Sequence, residues 1–207
     1  MSLGSRHLPA LLVLLASLSA CSVLPEAEPI HVYRLPGTPL QAQPASSRLD
    51  RALRIATPKA DRMLGSARIA VVPEGNRISA YQGARWSDDA PTLLRDRLIA
   101  AFREDGRTAS VSSDDNHLHA DLELLGDLRG FHAEYVGGKP QVRVSLDVNL
   151  VHSTSQRVLA SRRFEVRQSA GDERLDSVVA AFGAAGDQLS RQLVDWTLAQ
   201  GGRLADR

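Results

Sequence analysis

Three sets of residues in this 207-residue chain have side chains suited to chemistry or tight recognition. Cys21 is the only cysteine, so it has no intrachain partner and its available reactions are acylation or oxidation. His117, His119 and Asp121 alternate, which on a strand would set two imidazoles and a carboxylate on one face, as in the beginning of a metal site. That face also carries Glu123, and no further ligand can be placed, so the sequence favours a solvated sheet surface and no metal. Tyr81, Arg85 and Trp86 form the third set. Trp and Arg are over-represented among binding hot spots, so a partner contact is one reading. The other is that Trp86 staples a helix start onto a sheet. Serines are plentiful, but the chain has neither a Gly-x-Ser-x-Gly elbow nor a Walker loop, so no catalytic residue is expected. No cofactor is expected either.

The thiol is the most informative of these groups because of what precedes it. Arg6 and His7 form a short polar start, Leu11 to Leu18 an apolar run, and Ser19 and Ala20 lead to Cys21. This is the layout of a secretory leader, and the run is too short to span a bilayer, which takes about 20 apolar residues. Leu18-Ser19-Ala20-Cys21 resembles the lipobox of bacterial lipoproteins, which implies that residues 1–20 are removed and Cys21 becomes a lipidated N-terminus. A cut of the Ala-x-Ala type would instead leave a free thiol on an exported protein, exposed to oxidation. Several acyl chains, at about 0.8 kcal/mol per buried methylene, make a stable anchor where one chain is marginal. Ser22 follows the cysteine where enterobacterial sorting places Asp on retained proteins, which resembles an outer-membrane address.

The chain carries 25 basic and 24 acidic side chains, and losing Arg6 with the leader balances them. No basic run with interleaved aromatics occurs, which argues against a nucleic-acid partner. Residues 21–50 are expected to form the lipidated N-terminus and a Pro-, Ser-, Gln- and Ala-rich tether containing one short strand, His31 to Leu35. Residues 51–200 are expected to form one compact domain, with 201–207 as a fraying tail.

Within that domain Leu53 to Thr57 and Ala67 to Val72 read as strands, each stopped by a proline. Arg77 to Tyr81 adds another, with Gln82 and Gly83 turning the chain. Ser87 to Asp89 and Pro91 open a helix whose Leu94, Leu98, Ala101 and Phe102 recur at helical spacing up to Gly106. Arg95, Asp96, Arg97 and Arg103 read as its solvated face. Leu118 to Leu124 alternates, Gly126 reads as a bulge, and Val142 to Leu150 is the cleanest alternation in the chain. Val158, Ala160, Phe164 and Val166 form a further strand face, interrupted by Arg162. The last element is a helix from Leu175 to Ala199 with an apolar stripe through Phe182, Leu189 and Trp196, in which Gly183 and Gly186 imply close packing on the sheet. The expected fold class is α+β, a mainly antiparallel sheet with two helices packed on one face.

Three segments in this order resemble the ABC-type transport auxiliary lipoprotein component family, which includes the paraquat-inducible protein C group. They are His31-Val32-Tyr33-Arg34-Leu35; Arg68 to Pro73 followed by Ile78 to Tyr81 and Arg85-Trp86; and the long alternating strands before Leu189-Ser190-Arg191-Gln192-Leu193. Glu74 to Arg77 departs from the pattern, being polar where many relatives are apolar. The resemblance implies an accessory lipoprotein of an MCE and ABC-type lipid transport system, anchored by its lipid to the periplasmic face of the outer membrane. Its implied partners are an MCE-domain protein and ABC transporter subunits, with homo-oligomerisation plausible in that context. Acting without catalysis, it would concentrate its partner by tethering. A periplasmic lipid-binding shuttle or chaperone is the alternative, and an envelope hydrolase ranks last.

Overall fold

Apolar residues at alternate positions become strands and those at helical spacing become helices in a computed structural model that describes residues 29–41 and 48–205. In chain order the elements are β1 (His31–Tyr33), β2 (Leu49–Ile55), β3 (Arg68–Glu74), β4 (Arg77–Trp86), α1 (Ala90–Asp105), β5 (Thr108–Ser113), a 3-10 turn (Asp114–Asn116), β6 (Leu122–Val136), β7 (Lys139–His152), β8 (Arg157–Ser169) and α2 (Leu175–Ala205). Among the described residues no helix is long and apolar enough to cross a membrane. Cys21 and the leader lie outside the described residues.

The meander is as expected: β6 pairs antiparallel with β7, and β7 with β8. The rest of the sheet is not uniformly antiparallel. The other edge of β6 is divided, with β2 running parallel to its first half, Leu53 beside Leu122, and β3 parallel to its second half, Ala70 beside His132. β5 lies parallel outside β2, β4 antiparallel outside β3, and β1 parallel outside β4. The sheet is therefore mixed. Parallel pairing needs a crossover, but the partners here are far apart in the chain, so no helix need stand between successive strands. β5 carries no strand signal in the sequence, because Thr108-Ala-Ser-Val-Ser-Ser113 holds one large apolar residue, Val111, and no apolar alternation.

Both helices cover one face of the sheet and join it in a single apolar core. Val142, Val144, Leu146, Val148 and Leu150 point into that core along β7, opposite Phe102 of α1 and Phe182, Leu189 and Leu193 of α2 in the same cluster. Burial of this aliphatic and aromatic surface, at about 25 cal/mol per Å2, is the main force holding the layers together.

Several local expectations change. Gln82 and Gly83 do not end β4; Gly83 takes a positive φ of 64° and the strand continues to Trp86, with a register shift against β3. The shift in β6 falls between Leu128 and Gly130, whereas Gly126 stays in register with Val148. A slip between Leu150 and Val151 turns Val158 out to 53% exposure, while Leu159 packs against the core. Residues 117–120 precede β6 rather than joining it, so Leu118 is exposed. α2 runs to Ala205 instead of ending at Ala199.

Candidate functional site

The chain just beyond the expected lipid site is bound to the domain. After β1 pairs with β4, residues 36–40 cross the outer side of both helices as a strap. Arg97 on α1 and Asp187 on α2 hold it: Arg97 Nε donates to Asp187 Oδ1 at 2.6 Å, Arg97 Nη2 donates to the Thr38 carbonyl at 2.7 Å, and Thr38 N–H donates to Asp187 Oδ2 at 2.8 Å. Glu104 extends the clamp, accepting from Leu40 N–H at 2.8 Å and from Arg97 Nη1 at 3.3 Å. Each charged group thus has a charge-assisted partner, which offsets the cost of burying it. Two glycines permit the close approach. A Cβ on Gly183 would lie 2.8 Å from the Pro36 carbonyl oxygen, and one on Gly37 would lie 2.8 Å from Arg97 Nε.

This corrects two expectations. Arg95 and Arg97 are not solvated; both are buried. Arg95 Nη1 donates to Thr57 Oγ1 at 2.8 Å, to Asp114 Oδ1 at 3.1 Å and to Asp115 Oδ2 at 2.6 Å, tying α1 to the end of β2 and the 3-10 turn. Gly183 admits the strap rather than the sheet, and the space around Gly186 is open. The signal was present in the spacing: Arg97 falls three residues after Leu94 and four before Ala101, on the flank of the apolar stripe.

The proposed contact trio divides. Trp86 is fully buried, in edge contact with Phe182 at 5.2 Å between centroids and tilted against Phe131 at 5.9 Å. It is a core residue and not an accessible partner contact, as the helix-staple alternative supposed. Tyr81 is half-buried, and burial, with the Tyr135 phenol beside it, pushes its hydroxyl well above the usual tyrosine range. Only Arg85 is exposed, because it faces the opposite side of β4 from Trp86.

The histidine set does not converge. His117 caps the 3-10 turn in the left-handed region, with φ at 49°, and His119 is an exposed loop residue. Asp121 Oδ2 accepts from Ala52 N–H at 2.8 Å, so this carboxylate aligns β2.

The outer face of the meander is a ladder of compensated charges. Asp147 on β7 accepts from Arg163 Nη2 at 2.8 Å and from Arg129 Nε at 3.1 Å, and Arg163, then Arg129, hold its carboxyl down at about 2. Farther along, Arg143 Nη2 donates to Glu165 at 2.8 Å, and Arg167 reaches Glu165 at 2.8 Å and Glu134 at 3.7 Å.

Comparison with known proteins agrees with this architecture. A crystal structure of a Xanthomonas campestris protein of the DUF330 family superposes with a TM-score of 0.79 at 32% identity, covering 85% of this chain and 99% of that one. A Chlamydia trachomatis hypothetical protein shares the fold, with a TM-score of 0.51 at 7% identity over 73% of this chain and 98% of its own. An uncharacterized protein of Bradyrhizobium diazoefficiens is 31% identical over 162 residues, 78% of this chain; the match spans only 43% of that relative's length. The model of the ABC-type transport auxiliary lipoprotein component family matches residues 33–194, from β1 through most of α2, and the chain belongs to that family.

Proposed function

We propose that this protein is the non-catalytic, membrane-tethered adaptor of an ABC-type lipid transport system, acylated at Cys21, placed on the periplasmic face of the outer membrane, and engaging an MCE-domain protein. Membership of the auxiliary lipoprotein family is the observation that carries the reading. The strap supports the tethering half of it. β1 and residues 36–40 are bound to the domain, so only eight positions separate Cys21 from the described chain at Pro29. A short linker raises the effective concentration of the domain at one membrane and limits where it can meet a partner.

The cavities favour an adaptor over a lipid shuttle. Between sheet and helices, the apolar void lined by Ile55, Leu98, Leu124, Leu146 and Leu193 holds about 10 Å3, far too little for an acyl chain. The groove beside the strap is lined by Pro36, Ala180, Gly183 and Ala184 as well as Asp187 and Arg191, but it is open, so an acyl chain lying in it would still face solvent.

Pull-down of the mature chain with an MCE-domain protein from the same organism tests the proposal. Binding is expected, and none at about tens of micromolar, near 6 kcal/mol, sinks the adaptor reading. Co-purified phospholipid in native mass spectrometry would favour the shuttle instead.

A further inference from the structure

The outer face of the sheet changes character toward β1. Across β6 to β8 its arginines are matched by Asp147, Glu134 and Glu165. At the β1 corner the register sets Val32 beside Arg85 and Arg85 beside Arg68, so three neighbouring strands present one apolar and two cationic side chains on the face opposite Trp86. Arg34 is exposed two residues farther along, and neither it nor Arg68 or Arg85 has an ion-pair partner among the described residues. Ile30 is 61% exposed and Val32 53%. An edge with free cations and exposed aliphatic side chains has the composition of a surface that meets anionic headgroups and the top of the acyl region.

Chain length selects the occupant. Cys21 precedes Pro29 by eight residues, which reach at most about 29 Å when extended, and the pairing of β1 with β4 fixes the point on the domain to which that segment leads. We infer that the β1–β4–β3 corner, with Ile30, Val32, Arg34, Arg68 and Arg85, is the face that lies against a bilayer carrying anionic phospholipids, and that the pairing of β1 with β4 sets this face toward the membrane. This deepens the proposed tethering and rests on it for the linker argument, while the surface itself acts without the acyl chains.

The test therefore removes the anchor. Mature chain carrying Cys21→Ala is sedimented with vesicles of phosphatidylethanolamine, alone or with phosphatidylglycerol added. Binding is expected only with phosphatidylglycerol, and Arg68→Ala and Arg85→Ala should each weaken it about fivefold, the effect of losing one cation near a charged surface. Val32→Asp should weaken it further. Arg191→Ala, an exposed cation on the helix side, should leave it unchanged. No binding to either vesicle, binding indifferent to Arg68 and Arg85, or an equal loss from Arg191→Ala would overturn the inference. Intact mass of the wild-type protein extracted from membranes reads the other half separately: a mature chain without acyl mass removes the Cys21 proposal, whatever the vesicles show.

Discussion

Arg97 and Asp187 stand 90 residues apart in the chain, yet their side chains meet at 2.6 Å and share the backbone of Thr38 between them. One buried ion pair thereby joins α1, α2 and the segment that follows β1. Removing Asp187 leaves Arg97 buried with only Glu104 and the Thr38 carbonyl as partners, and a fully unpaired buried charge would cost about 3–5 kcal/mol. Asp187→Ala should lower stability by up to that amount in urea denaturation and speed amide exchange at Thr38, whose N–H loses its acceptor, and at Leu40, because the strap that carries it is loosened. Unchanged exchange at these two amides would show that the strap is held by something else.

The two helix glycines should respond in opposite directions. Gly183→Ala pushes a methyl group against the Pro36 carbonyl and should loosen the strap. Gly186→Ala meets no atom within 4 Å, so helix propensity dominates and stability should rise by about 1 kcal/mol. Thermal melts of the two variants check the contrast.

Trp86 and Arg85 are adjacent but face opposite sides of β4. Trp86→Ala should cost about 3–5 kcal/mol through the cavity left between Phe131 and Phe182. Trp86→Phe should cost less, because a ring remains against Phe131 and Phe182 and the cavity is smaller. Arg85→Ala should change stability by less than about 0.5 kcal/mol, as for an exposed residue away from special features. A large effect from Arg85 in denaturant melts would contradict the outward placement of its side chain.

Asp147 is held down at about 2 by Arg163 and Arg129. A carboxylate whose pKa is lower folded than unfolded stabilises the fold above its unfolded value, about 3.9, and loses that contribution as pH falls through the folded value. The melting-temperature gap between wild type and Asp147→Asn should therefore be full at pH 5 and close as the pH approaches about 2. The pair is partly exposed, so the gap should be small and should shrink in salt. A gap that is constant with pH would mean that the substitution acts through something other than charge.

The sequence by itself was enough for the β6 to β8 meander, both helices and the family, because each is written locally, in a period of two, a helical period or an ordered set of short motifs. Tertiary structure decided what depends on partners distant in the chain. It divided one edge of β6 between β2 and β3, since parallel neighbours leave no trace in local alternation. It buried Arg97 and Trp86: an arginine on the flank of an apolar stripe is solvated unless a carboxylate such as Asp187 arrives from elsewhere, and a tryptophan at a strand end is accessible unless rings such as Phe131 and Phe182 close over it. It also turned part of the expected tether into a strap, because a polar, proline-bearing segment becomes ordered only when a folded surface supplies acceptors and donors for its backbone.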